Sequence, residues 1–164
     1  MPITTCTPVT IYAIAIGSNR RTRHGSPTAT LRAAVATLGG VIACSPILST
    51  APVGPSLRRF ANAVALIESA EDPPALLDRL KAIERAFGRR RGQRWSARPI
   101  DLDIVLWSGG PWADSTLTVP HTLFRTRDFV LRPLVAIAPW WRDPITGRSM
   151  IQLARMVDRR RPHH

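Results

Sequence analysis

The chain has 164 residues, of which 45% are hydrophobic, and a formal net charge of +12, which is typical of one soluble domain with a sizeable core. Its longest apolar run near the N-terminus, Val9–Ile16, is too short to cross a bilayer, and no basic segment precedes it, so we expect neither a membrane span nor a signal peptide there. Cys6 and Cys44 are too few for a disulfide framework and lack metal-ligand spacing, so we expect a cytoplasmic protein.

Up to residue 107, the chain contains six segments in which hydrophobic residues recur with the period of a strand or of a helix. Strands repeat every two residues and helices every three or four, and prolines and glycines mark their ends. The predicted segments are a strand at Thr10–Ile16, a helix at Pro27–Leu38, strands at Val41–Leu48 and Phe60–Glu68, a helix at Pro73–Phe87 and a strand at Ile100–Trp107. This βαββαβ order predicts an α+β fold with a ferredoxin-like core.

The remaining segments predict C-terminal additions to that core. Ser108–Thr116 is expected to be a surface turn and Leu117–Pro120 a short strand. A helix is predicted over Asp128–Ala138, starting either at Asp128 or nearer Pro133, and a last helix over Ser149–Val157. We expect one domain over residues 1–164, with residues 1–8 and 159–164 flexible.

The last core strand carries two acids in an otherwise apolar run. Because strand side chains alternate, Asp101 and Asp103 share one face with Val105 and Trp107, and the core face is expected to hold Ile100, Leu102, Ile104 and Leu106. Two carboxylates whose Cα atoms are roughly 6–7 Å apart repel unless a positive group lies between them. That group is an arginine or a backbone amide in a purely structural interpretation, and Mg²⁺ in a functional one.

An arginine-rich segment precedes this strand. Twenty-two of the 23 basic residues are arginine, since Lys81 is the single lysine, and five arginines cluster without an intervening acid at Arg89, Arg90, Arg91, Arg94 and Arg98. Such a cluster indicates an anionic partner such as phosphate. Trp95 within it either packs against the sheet or covers a bound substrate.

Three further side chains are candidates on weaker grounds. His121 on a loop is more often solvated than a ligand. Asn62 is expected on a half-buried strand face, where its amide needs a partner and suits a flat heterocycle. Phe129 could stack on such a ring or simply belong to the core.

Three motifs in register resemble the 6-hydroxymethyl-7,8-dihydropterin pyrophosphokinase (HPPK) family of folate biosynthesis. They are the strand and turn at 13–19, the segment 94–104 with its Asp101-Leu102-Asp103, and the segment from Val119-Pro120-His121 to Leu134. The resemblance runs from about Tyr12 to Pro139. It implies a ferredoxin-like core and an enzyme that moves the terminal pyrophosphoryl group of ATP to the pterin hydroxymethyl oxygen and releases AMP.

The resemblance also implies roles for individual residues. Those implied to be catalytic are Arg89, Arg98, Asp101 and Asp103, with two Mg²⁺ held by Asp101 and Asp103. Those implied to bind ATP are Glu84, Arg89, Arg91, Arg94, Trp95, Arg98, Ile104, Thr118, His121 and Arg127. Those implied to bind the pterin are Thr50, Pro52, Val53, Phe60, Asn62, Trp95, Asp101 and Phe129.

Two other functions stay open at this point. An RNA-binding domain on the same sheet would suit the charge, although only Tyr12 and Phe60 could serve as sheet-surface aromatics. A catalytically silent homologue kept for protein contacts is the other alternative. We expect small-molecule substrates, no nucleic acid, no membrane contact and a monomer.

Overall fold

The structure is a computed structural model that describes residues 8–50, 59–88 and 99–161. A five-stranded antiparallel sheet lies at its centre, with neighbours in the order β2–β4–β1–β5, and β3 also pairs with β4. The strands are β1 Thr10–Ser18, β2 Val41–Cys44, β3 Leu48–Thr50, β4 Phe60–Ser69 and β5 Asp101–Trp107. The two long strands β1 and β4 form the middle of the sheet, and β1 pairs with β4 over its whole length.

Four helices flank the sheet within the described ranges: α1 Pro27–Leu38, α2 Pro73–Ala86, α3 Asp128–Ile137 and α4 Met150–Arg159. Their starts follow local chemistry, because the side chains of Ser26, Asp72 and Ser149 accept backbone N–H groups of the first turns. The prediction that α3 continues through Pro133 is confirmed, with Asp128 as its first residue. No helix among the described residues is both long and apolar enough to cross a membrane.

The two faces of the sheet carry separate apolar layers. The first layer joins β1 residues such as Tyr12 and Ile14 to the buried side chains of α1 and α2. The second joins Val64 and Leu66 of β4 to α3 and α4, through residues such as Leu131. Alternation along β1 and β4 therefore places helices on both sides of the sheet, as the strand period predicts.

The predicted strand Val41–Leu48 is two strands, and the single-strand prediction was wrong. Pro46 has no N–H to give to the ladder. The hydroxyl of Ser45 instead accepts the N–H of Val64 at 2.9 Å, while the Ser45 N–H donates to the Val64 carbonyl at 2.9 Å. The chain thus stays attached to β4 while its regular pairing is interrupted between β2 and β3.

The predicted faces of β5 are correct up to Val105 and wrong beyond it. Ala13 pairs with Leu106 while Ile14 pairs with Ile104, so Val105 is an extra residue in a β-bulge. The bulge turns Leu106 into the second layer and Trp107 towards the first, where its ring stacks on Tyr12 at 5.9 Å. A bulge leaves no periodic signal, so strict alternation could not foresee this exchange.

Part of the predicted surface turn at Ser108–Thr116 is also a strand. Trp112–Ala113 (β6) pairs with Thr118–Val119 (β7), which confirms the short strand expected after residue 116. Trp112 packs edge-on against Trp107 at 6.0 Å. The small hairpin therefore closes one edge of the first apolar layer.

Candidate active site

The acid pair lies on the second face of the sheet, beyond the cover of α3. Asp101 and Asp103 are both half-buried on β5. Their neighbours on β1 are Gly17 opposite Asp101 and Ala15 opposite Asp103. Because both neighbours are small, the face around the carboxylates has room for a ligand.

The two acids lie between two cavities and line both of them. The cavities have volumes of about 330 and 290 Å³, and Asp101, Asp103 and Arg127 line both. We name them after one residue each, the Asn62 cavity and the His121 cavity. A ligand in one cavity therefore meets a ligand in the other across two carboxylates and one guanidinium group.

The Asn62 cavity brings together the described residues predicted to bind a pterin, namely Thr50, Phe60, Asn62, Asp101 and Phe129. Asn62 is 7% exposed, and its amide N–H donates to the Thr50 hydroxyl at 3.0 Å, so the predicted partner exists. The guanidinium of Arg127 lies 5.7 Å from the centre of the Phe129 ring. A cavity of this size, lined by the amides of Asn19 and Asn62 and by two aromatic rings, suits a small flat heterocycle.

Gly17 is a site residue that the sequence interpretation missed. It pairs with Asn62 on one side and with Asp101 on the other, which places all three in one row across the sheet. A Cβ atom on Gly17 would lie 3.2 Å from the Asn62 side-chain oxygen. The Gly-Ser-Asn turn signal was visible, but its pairing with two other strands was not.

The His121 cavity contains three of the residues predicted to bind ATP, Glu84, His121 and Arg127. It also contains three that were missed, Leu77, Lys81 and Leu102. Lys81 lies three residues before Glu84 and four after Leu77, so these three share one side of α2. That spacing was a usable signal. The lysine gives this cavity a second cationic group beside Arg127.

His121 is held in a defined orientation. Its backbone N–H donates to the Val105 carbonyl at 3.0 Å, and its Nδ1 accepts the Leu123 N–H at 3.2 Å. Burial lowers the pKa of His121; Asp103 and Asp101 raise it and Arg127 lowers it, and the net effect is a decrease. A neutral ring whose Nδ1 accepts a hydrogen bond carries its proton on Nε2, where it can donate to a ligand.

Glu84 supports the acid pair through the backbone. Its side chain is 5% exposed, and Oε1 accepts the N–H of Leu102, the residue between the two acids, at 2.9 Å. Leu102 lies on the outer strand, where this N–H would otherwise be unpaired within the sheet. The carboxylate thus fixes the strand segment that presents Asp101 and Asp103.

Other predicted residues are not brought into either cavity. Ile104 is 2% exposed and belongs to the first apolar layer, while Thr118 is exposed on β7. Neither lines the Asn62 or the His121 cavity. Seven predicted residues lie outside the described residues: Pro52, Val53, Arg89, Arg91, Arg94, Trp95 and Arg98.

Two further cavities, of about 420 and 480 Å³, are lined by basic residues, and Arg20 and Arg21 contribute to both. Neither contains a carboxylate among its lining residues, and Asp101 and Asp103 contribute to neither. Larger volume alone therefore does not identify the reacting site. Of these four cavities, only the two smaller ones are lined by carboxylates, so they are the better candidates for the active site.

The sheet offers little to single-stranded RNA. Tyr12, one of the two aromatics that such a function would use, is 0% exposed in the first apolar layer. Phe60, the other, lines the Asn62 cavity. Within the described ranges, α1 and α2 also cover the first face of the sheet, and α3 and α4 cover part of the second.

The donor set around the acid pair fits Mg²⁺. The described residues contain no cluster of three or more His, Cys, Asp or Glu side chains that could hold a metal by itself. Mg²⁺ does not need such a cage, since it takes one or two carboxylates and completes its octahedron with waters and substrate phosphates. Asp101 and Asp103 could supply those carboxylates.

Comparison with known families gives a direct result. The profile of the family 7,8-dihydro-6-hydroxymethylpterin-pyrophosphokinase (HPPK) matches residues 13–139. The chain belongs to the HPPK family. The matched residues contain all three motifs that carried the resemblance, and they include every residue that lines the Asn62 and His121 cavities.

Individual HPPK relatives agree with this assignment. The chain is 38% identical over 115 residues to the 2-amino-4-hydroxy-6-hydroxymethyldihydropteridine pyrophosphokinase of Synechocystis sp., which covers 70% of this chain and 59% of the relative. It is 37% identical over 147 residues to the enzyme of the same name from Methylorubrum extorquens, which covers 86% of this chain and 89% of the relative. The match thus spans less than two thirds of the Synechocystis protein and most of the Methylorubrum one.

A solved HPPK structure shares the fold. The wild-type Plasmodium falciparum HPPK-DHPS protein matches with a TM-score of 0.73 at 13% identity, over 91% of this chain and 41% of that one. At this identity the similarity shows the fold alone. The mixed α/β architecture with its antiparallel sheet is therefore that of the HPPK family.

Proposed function

We propose that this protein transfers pyrophosphate from ATP to the hydroxymethyl group of 6-hydroxymethyl-7,8-dihydropterin, giving the pterin diphosphate and AMP, as a step of folate biosynthesis. One observation carries the proposal: Asp101, Asp103 and Arg127 line both the Asn62 cavity and the His121 cavity. The pterin would occupy the first cavity and the nucleotide the second. The reacting oxygen and phosphorus would then meet at the shared wall.

The proposed reaction is an in-line displacement at the β-phosphorus of ATP. The pterin hydroxymethyl oxygen forms the new O–P bond, the bond from the β-phosphorus to the α,β-bridging oxygen breaks, and AMP leaves with that electron pair. The hydroxyl proton passes to water. Asn62 and Phe129 hold the ring in place, while Arg127 offsets phosphate charge and His121 donates from Nε2 to the nucleotide.

Asp101 and Asp103 are proposed to hold two Mg²⁺ ions beside the phosphates. Such ions neutralise phosphate charge and align the attacking and leaving oxygens. The family resemblance adds further proposed contacts from residues outside the described ranges. They are Arg89, Arg91, Arg94, Trp95 and Arg98 for ATP, with Arg89 and Arg98 assisting transfer, and Pro52, Val53 and Trp95 for the pterin.

The finer description of the fold is also a proposal. We assign a ferredoxin-like core, because the order of elements is βαββαβ and β4 and β1 lie between β2 and β5 in the sheet. We propose further that residues 1–164 form a single domain and that the protein acts as a cytoplasmic monomer without nucleic-acid or membrane partners.

The product nucleotide tests the proposed function. The protein is incubated with ATP, MgCl₂ and 6-hydroxymethyl-7,8-dihydropterin, and the nucleotides are separated by chromatography. We expect AMP and the pterin diphosphate in equal amounts, and no AMP when the pterin is omitted. ADP as the product, or no turnover, would contradict the proposal.

A further inference from the structure

The turn that carries His121 and Arg127 is anchored at its middle by a residue that lines neither cavity. A short 3₁₀ turn, Phe124–Thr126, separates the two site residues. Arg125 lies within that turn and is absent from the lining of the Asn62 and His121 cavities. Its side chain instead meets Asp143, in the turn between α3 and α4.

The Arg125–Asp143 contact is bidentate and uses every acceptor position of a buried carboxylate, while the Arg125 side chain is 26% exposed. Asp143 is 0% exposed. Arg125 donates from Nε to Oδ2 at 2.6 Å and from Nη2 to Oδ1 at 2.8 Å. The remaining acceptor capacity is used by the Thr146 hydroxyl at 2.6 Å and the Ile145 N–H at 3.1 Å. Such a fork-to-fork pair fixes direction as well as distance.

Asp143 is itself fixed to its turn by the backbone. Its N–H donates to the Arg148 carbonyl at 2.9 Å, and its carbonyl accepts the Gly147 N–H at 2.8 Å. On the other side of the pair, the Arg125 guanidinium lies 4.7 Å from the centre of the Phe124 ring, which is buried in the second apolar layer. Both ends of the pair therefore rest on ordered structure.

Backbone hydrogen bonds link Phe124, the residue before Arg125, to both site residues. The Phe124 N–H donates to the His121 carbonyl at 3.2 Å, and the Arg127 N–H donates to the Phe124 carbonyl at 3.3 Å. His121 Nδ1 accepts the N–H of Leu123 in the same segment at 3.2 Å. A shift of Arg125 would therefore move the His121 ring and the Arg127 guanidinium together.

We propose that Arg125 and Asp143 are positioning residues whose partly buried, bidentate ion pair sets the placement of His121 and Arg127 on the nucleotide side of the site. This inference rests on the proposed function, because it assigns the two residues a part in ATP binding. The pair is a fixed support and acts at every pH at which the enzyme works. Burial raises the pKa of Asp143, but hydrogen bonds from Arg125, Thr146 and Ile145 outweigh burial and lower it to about 2.

The test compares variants of the pair with a matched control. Arg125→Gln and Asp143→Asn each remove one charge, and Arg125→Lys keeps the charge without the fork. Arg132→Gln is the control, since it breaks an exposed ion pair with Asp128 on nearby α3. Three quantities are measured well below each variant's melting temperature: KM and kcat for ATP, the Kd of α,β-methylene-ATP with MgCl₂, and hydrogen exchange of the amides at 121–127.

We expect Arg125→Gln and Asp143→Asn each to raise the KM of ATP and the Kd of the analogue about tenfold. The expected change in kcat is less than about threefold, the KM of the pterin stays constant, and exchange at 121–127 becomes faster. Arg125→Lys should fall between the parent and Arg125→Gln, and the double variant should be no worse than either single one. Arg132→Gln should resemble the parent.

A purely structural pair would give a different pattern. Lower melting temperatures with the KM of ATP and the analogue Kd within twofold of the parent would overturn the proposal. So would unchanged exchange at 121–127 in Arg125→Lys, the variant with the mildest change. If the parent makes no AMP at all, the proposed function fails, while analogue binding and exchange still decide whether the pair positions this turn.

Discussion

The two faces of the central sheet use the same strands for different purposes. On the first face, Tyr12, Ile14 and Ile16 of β1 lie under α1 and α2 in a continuous apolar layer. On the second face, β1 presents the smaller Ala13, Ala15 and Gly17, and the apolar contacts with α3 and α4 extend over only part of the strand. The uncovered part is where the acids lie.

Because of this difference, the first face supplies apolar packing that stabilises the fold, and the second face also carries the polar groups of the proposed active site. Side-chain volume decreases along the second face of β1 towards Gly17, while polar groups enter at Asn62 on β4 and at Asp101 and Asp103 on β5. A site on paired strands keeps its geometry without relying on its own packing. Substitutions on the first face should therefore affect folding, and substitutions beyond α3 on the second should affect turnover.

The largest expected effect is on turnover, at the acid pair. Asp103→Asn removes one of the two carboxylates proposed to hold Mg²⁺, and we expect kcat to fall on the order of 10³-fold, since metal assistance contributes several kcal/mol. The free energy of unfolding should change little. The assay is AMP release, with Asp78→Asn on an exposed position of α2 as the charge-matched control. An active Asp103→Asn variant would remove the metal assignment.

An opposite pattern is expected on the first face. Leu80 of α2 is 0% exposed in the first apolar layer, so Leu80→Ala should lower the free energy of unfolding by about 3 kcal/mol. Urea unfolding measures this loss. Activity per folded molecule should stay within about twofold of the parent. A loss of activity at unchanged stability would show that the two faces are not separable in this way.

The smallest expected effect is a pH-dependent change in the free energy of unfolding. It concerns Asp143, in the turn between the two helices that pack on the second face. The pKa of Asp143 is lowered to about 2 in the folded state, so its ionised form contributes stability above its ordinary pKa, and that contribution is lost as pH falls through about 2. The contribution is at most about 2.5 kcal/mol, since one pKa unit corresponds to about 1.4 kcal/mol. Urea unfolding should show the stability difference between the parent and Asp143→Asn shrinking from pH 5 towards pH 2.5. A constant difference would contradict this.

Several features could be predicted from the sequence because they depend on local rules. Hydrophobic period gave the order of strands and helices, and N-cap residues such as Asp72 marked helix starts. The acid pair was visible because two charges in an apolar strand need partners. The assignment of substrates, by contrast, came from resemblance to a family, since no residue pattern alone names a pterin.

Other features depend on pairings that one segment does not contain. The bulge at Val105 exchanges the faces of Leu106 and Trp107, and alternation along β5 cannot reveal it. The role of Gly17 follows from its two partner strands, and that of Lys81 from the approach of α2 to β5. Tertiary contact, and not local propensity, decided each of these positions.

The central claim is that one acid pair separates a pterin cavity from a nucleotide cavity, and paired binding measurements test it most directly. The Kd of the pterin and the Kd of α,β-methylene-ATP with MgCl₂ are measured for the parent, Asn62→Ala and His121→Ala. We expect Asn62→Ala to weaken pterin binding about tenfold and leave the nucleotide within twofold, and His121→Ala to do the reverse. The two-cavity assignment is wrong if both variants weaken the binding of the same ligand. It is also wrong if Asn62→Ala weakens only nucleotide binding and His121→Ala weakens only pterin binding.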